Sequence, residues 1–297
     1  VINLKIPNQN VNIDWYLEYI KKEYDRYLWG NSNLWSLINT WTNKNFQKSF
    51  EEILVCSHEE LLRIKNAWDS NKKSVPDYIV DIKETYLKFA KSRGGIGDSS
   101  KKDRITAFEF VGRIEELTCP YCNKTQIENR QNIRARSSQL DHFFDKDKYP
   151  FFALSFFNLV PACSSCNLIK HMKSLDASPH CSIDLCDLSN FSFSGVAGDL
   201  SSLEILLTVQ GSMTVNEKVL DLKGNYSKNK SNLNNLLLKI QENPEDYFKS
   251  LDRIFSKREA LEIVHDTVLD KNRFYTKPLS KFKYDILKIF HGNDISD

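Results

Sequence analysis

The sequence predicts an α+β, mainly helical fold, on three observations. From Ile13 to about Lys91, apolar residues recur at three- and four-residue steps. Short runs suited to strands come only in the middle and the last third. Two Cys-x-x-Cys pairs, Cys119/Cys122 and Cys163/Cys166, bracket the middle of the chain. The 297 residues therefore divide into a helical region, 1–105, a central unit held by the cysteines, 106–175, and an α+β or helical region, 176–297.

In the first region Ile13, Tyr16, Leu17, Ile20, Tyr24, Tyr27 and Leu28 form one apolar stripe flanked by Lys and Glu. A second helix starts at Ser57, with Glu60 placed to complete a capping box ahead of Leu61, Leu62 and Ile64. Trp15, Trp29, Trp35 and Trp41 at this spacing read as core rather than as a base-stacking platform. Residues 92–103, SRGGIGDSSKKD, read as a linker. Their GGIG is no phosphate loop, because no strand precedes it and no Gly-Lys-Ser/Thr closes it.

With 41% hydrophobic and 27% charged residues, 10 Gly and 8 Pro, the composition is that of a globular protein and excludes collagenous or disordered classes. The longest apolar stretch, 151–163, falls short of the roughly 20 residues a membrane span needs, so no membrane partner is expected. No secretory signal is visible, which makes a cytoplasmic location the default, and seven cysteines then argue for metal or free thiols rather than disulfides. Net charge is +2, yet residues 101–175 carry 12 Lys plus Arg against 8 Asp plus Glu. The basic excess sits on the middle of the chain.

Cys119, Cys122, Cys163 and Cys166 supply four thiolates, the donor set of a closed, structural Zn²⁺ site with sulfur about 2.3 Å from the metal. Forty residues separate Cys122 from Cys163, more than a minimal zinc ribbon contains, so a folded insert lies inside the clasp. Within it, QLDHFF reads as a strand, NLVP as a second, and CNLIKH as the start of a helix. On that helix Leu168, Ile169 and Met172 are expected to form an apolar stripe and Asn167, Lys170 and His171 a polar face. Regular strand alternation sets Asp141 and His142 on opposite faces.

The ordered series CPYC, LDH, FFNLVPAC and CSSCNLIK resembles the HNH endonucleases of the ββα-metal class, over about Thr118 to Ser174. The resemblance implies an HNH nuclease domain over 106–175 that hydrolyses phosphodiester bonds in DNA. It implies His142 as general base, Asn158 as loop brace, and Asp141 and Asn167 as ligands of a catalytic Mg²⁺ or Mn²⁺. His171 is the alternative ligand, because the family often has histidine at the helix position. Lys170, Lys173, His171, Arg134 and Arg136 are the expected phosphate contacts. Imidazole and hard oxygen donors suit this chemistry on their own terms.

A narrower similarity links the sequence to HNH nuclease subunits that accompany a separate ATPase in bacterial antiphage defence, of the Septu type. A non-catalytic, zinc-dependent nucleic-acid or partner adapter is the competing reading, and a redox protein the third. Cys181, Cys186 and His180 are spaced too irregularly to form a second metal site. In the last region, 191–194 and 203–209 read as strands, 214–222 alternates weakly, and Asn243-Pro244 opens a long helix toward Val268.

Overall fold

A computed structural model describes residues 1–27, 33–71, 73–90, 106–114, 117–132, 135–251 and 254–295. The fold is α+β and mainly helical, with six short strands in three antiparallel pairs among the described residues. The pairs are β1 (Asn129–Arg130) with β2 (Ala135–Arg136), β3 (Gln139–His142) with β4 (Leu159–Ala162), and β5 (Ser189–Ser194) with β6 (Glu204–Val209). The expected 92–103 linker, Leu28 and Trp29 lie outside the described residues.

The amphipathic stripe near the amino end becomes the Gln9–Tyr27 helix, with Tyr16 and Ile20 buried. Tyr16 sits against Phe89, Phe110 and Phe156 and donates its hydroxyl to the Leu154 carbonyl, which joins this helix to the central unit. Trp41 and Trp68 pack with Phe46 and Phe151 in the same interior. Ser57 caps the His58–Ser70 helix by accepting from the Glu60 N–H, but the reciprocal half of the box is not made. Lys48 and Arg63 draw the Glu60 carboxylate outward instead. Complete capping boxes form at Ser49/Glu52 and Ser256/Glu259.

Two expectations in the last region are corrected. Residues 214–222 are helical, in Met213–Leu220 and the start of Leu222–Ser227, because Met213, Asn216 and Leu220 are buried at helical spacing. The helix after Pro244 does not run through: Glu245–Leu251 ends, and Ser256 starts Lys257–Val264 with its own cap. This region is tied closely to the central unit. The Tyr226 hydroxyl donates to the Cys122 carbonyl, Lys281 N–H donates to Asn123 Oδ1, and the Asn123 amide donates to the Phe274 carbonyl. At the other end of the chain, the Ile2 N–H donates to Pro120 O. Buried side chains from all three stretches join one hydrophobic cluster. Among the described residues, no helix is long and apolar enough to cross a membrane.

The strand β3, the strand β4 and the Ser164–Lys170 helix follow one another as a ββα unit. Gln139 pairs with Ala162 and His142 with Leu159, so 139–142, inside the 40-residue insert, is zipped to its carboxyl end. Pro161 is tolerated in β4 because a two-stranded ladder leaves edges where a missing N–H is not needed. Cys163 ends the strand and caps the helix, its sulfur accepting from the Cys166 N–H. A clasp cysteine thereby also starts the helix.

Candidate metal centre and adjoining cleft

Cys119, Cys122, Cys163 and Cys166 converge in the interior, with their sulfurs all within 4.8 Å of one another. A tetrahedral zinc with 2.3 Å bonds needs sulfurs about 3.8 Å apart. The donor set and spacing therefore fit a metal such as zinc after a contraction of under about 1 Å. Among the described residues this is the only group of three or more Cys, His, Asp or Glu arranged for a metal. Hydrogen bonding from Cys119 pulls the Cys122 thiol below its ordinary value, while burial pushes Cys119 up.

Beside the clasp lies a cleft of about 380 Å³, lined among others by Gln139, Asp141, His142, Asn167 and His171. Strand alternation holds, since the Asp141 and His142 side chains find different partners. They still reach one cleft because β3 ends at His142 and the chain turns there, adding Asp145, Lys146 and Asp147 to the same wall.

The His142 ring is buried against Tyr86, with ring centroids 4.2 Å apart and edge to face. Its Nε2 lies 2.9 Å from the Ala153 carbonyl oxygen. A carbonyl only accepts, so this contact assigns the hydrogen to Nε2 and leaves the Nδ1 lone pair unprotonated. Burial lowers the ring to about 3, against the opposing pull of the Ala153 carbonyl, so the imidazole is neutral at pH 7.

Asn158 is fully buried and ties the intervening loop to itself. Its Oδ1 accepts from the Phe144 N–H at 2.7 Å, and its amide donates to the Phe144 and Phe152 carbonyls at 3.1 and 3.0 Å. Ala153 directly follows Phe152, so this brace also positions the oxygen that orients His142. Tyr149-Pro150, late in the loop, leads into a 3₁₀ turn over Pro150–Phe152 that keeps both phenylalanines inside.

Asp141 is 4% exposed and holds two partners: Lys170 Nζ on Oδ1 at 3.0 Å and the Tyr121 hydroxyl on Oδ2 at 2.6 Å. Burial raises its carboxyl above the usual range, and the Lys170 charge and the Tyr121 hydrogen bond act against that rise. Burial and the neighbouring Asp141 charge push the Tyr121 phenol far up, so it remains a donor. Each carboxylate oxygen keeps a lone pair beyond the one in use. Asn167 donates its amide N–H to Gln139 Oε1 at 2.6 Å, which leaves its side-chain oxygen unused by that contact. This chemistry fits a hard divalent cation.

Several expected positions are corrected. Lys170 is no phosphate contact: it is 1% exposed, paired with Asp141 and bonded to the His142 carbonyl. Its long side chain reaches inward because the buried carboxylate needs a counter-charge. Leu168, Ile169 and Met172, the expected apolar stripe, are exposed. The helix ends at Lys170, and His171 takes φ +46°, so it leaves the helical face though it still lines the cleft. Arg136 is half-buried and donates to the Ala90 carbonyl. Arg134 lies outside the described residues, whereas Lys173 is exposed.

Sequence reasoning missed Tyr121, Tyr86, Gln139 and the Ala153 carbonyl, all of which act through distant contacts. Comparison with protein-family models, curated proteins and solved structures returns no match for this chain.

Proposed function

We propose that the cleft is the site of a metal-dependent HNH-type endonuclease that hydrolyses phosphodiester bonds in DNA, built on a zinc-held scaffold. The observation that carries the reading is His142: a neutral imidazole whose Nε2–H is committed to Ala153, in the same cleft as Asp141 and Asn167. In this reading Nδ1 takes the proton of the attacking water, and the Ala153 carbonyl stabilises the charge that then develops on the ring. Asn158 keeps that carbonyl in place. Asp141 and Asn167 would hold Mg²⁺ or Mn²⁺, which when bound supplies positive charge for the phosphate and its departing oxygen. Exposed His171 and Lys173 are the residues placed to meet flanking phosphates. A role beside a separate ATPase subunit in antiphage defence rests on the sequence resemblance alone.

One observation favours the adapter reading. The Lys170 ammonium already neutralises Asp141, the carboxylate that would hold the metal. A single assay separates the two. Plasmid DNA and RNA are incubated with the zinc-loaded protein in Mg²⁺, Mn²⁺ or EDTA, alongside His142→Ala. The nuclease reading expects cleavage that EDTA abolishes and that His142→Ala lowers by about 10² to 10⁴ with zinc content unchanged. DNA binding without cleavage in either metal would establish the adapter.

A further inference from the structure

Both hydrogen-bond partners of Asp141 come from the segments that carry the cysteines. Tyr121 lies inside the first pair, between Cys119 and Cys122, with its side chain fully buried. Lys170 lies one helical turn beyond Cys166 and is anchored a second time on the His142 carbonyl. The carboxylate is thus held at both oxygens by groups whose backbones belong to the clasp. Tyr121 is the more informative of the two, because it has no charge to contribute and its hydroxyl makes one contact, 2.6 Å to Oδ2. The backbone of Tyr121 is fixed between two clasp cysteines and its ring is fully buried, so the position of the hydroxyl follows the clasp.

We propose that Tyr121 is a positioning residue, carrying the geometry of the four-cysteine clasp to the Asp141 carboxylate and so setting the affinity of the cleft for a divalent cation. This rests on the reading of the cleft as a metal site. The clasp, on this view, does more than hold the fold together: it orients the ligand. Without the hydroxyl, Oδ2 loses the donor that holds it at 2.6 Å and the carboxylate can rotate about the remaining Lys170 contact. Loss of such an outer partner typically weakens metal binding by 10- to 100-fold.

The test compares wild type and Tyr121→Phe as full-length, zinc-loaded proteins, titrated with Mn²⁺ and followed by electron paramagnetic resonance, with zinc measured by elemental analysis. The expected result is equal zinc in both proteins and Mn²⁺ affinity about tenfold weaker in the variant. Equal Mn²⁺ affinity with zinc retained would overturn the role of Tyr121 and leave the metal reading intact. Loss of zinc from the variant would also overturn it, because Tyr121 would then serve the clasp rather than Asp141. A wild-type protein that binds no Mn²⁺ would remove the metal reading itself.

Discussion

Replacing Asn158 by alanine should cost stability and misorient His142 together. The buried amide makes three hydrogen bonds, and their loss is unequal. The Phe144 N–H would be stranded in the interior, a penalty of about 1 to 3 kcal/mol. The Phe152 carbonyl keeps a second bond from the Ser155 N–H, so it loses only a net bond, about 0.5 to 1.5 kcal/mol, and the Phe144 carbonyl loses at least as much. The sum is roughly 2 to 6 kcal/mol, large for a single substitution. Because Ala153 follows Phe152, the loosened loop also releases the carbonyl that accepts from His142 Nε2. Urea unfolding measures the first effect, and ¹⁵N chemical shifts of labelled histidine measure the second, as a loss of the pure Nε2–H tautomer. Asn158→Asp should do as badly, since it sets a carboxylate oxygen against two carbonyls. A destabilisation below about 1 kcal/mol with an unchanged His142 tautomer would refute the reasoning.

Zinc should be present at one ion per chain by elemental analysis, and Cys163→Ser should unfold the central unit as well as release metal, because Cys163 also caps the Ser164–Lys170 helix. Natively purified protein without zinc would contradict this. Acid should destabilise the fold through its buried neutral histidines. His265 is 1% exposed, neither ring nitrogen has a hydrogen-bond partner, and burial lowers it from 6.5 to about 4. The unfolded chain therefore binds the proton first: the stability is complete above pH 6.5 and is lost as pH falls toward 4. In His265→Phe the stability lost between pH 7.5 and pH 5 should shrink by on the order of 2 kcal/mol, read from urea midpoints at the two pH values. An unchanged pH dependence would mean that His265 is not neutral in the folded state.

The clasp and the ββα order were legible in the sequence because they depend on local spacing. Two residues between paired cysteines set both sulfurs on one side of a metal, and short apolar runs announce strands. The stripe through Tyr16 and Ile20 and the runs that became β5 and β6 were legible for the same reason. Local pattern failed where a distant partner outweighed it. Lys170 has the periodicity of an outward residue, yet it is drawn inside by Asp141, 29 positions earlier in the chain. Residues 214–222 alternate like a strand, but packing of Met213, Asn216 and Leu220 makes them helical. Tyr121 reads as filler between two cysteines until its hydroxyl meets Asp141, 20 residues on. Sequence alone thus determined which donors exist and how they are spaced. Only the tertiary structure decided which of them are buried and what each one faces, because a buried charge or hydroxyl takes its partner from wherever the fold supplies one.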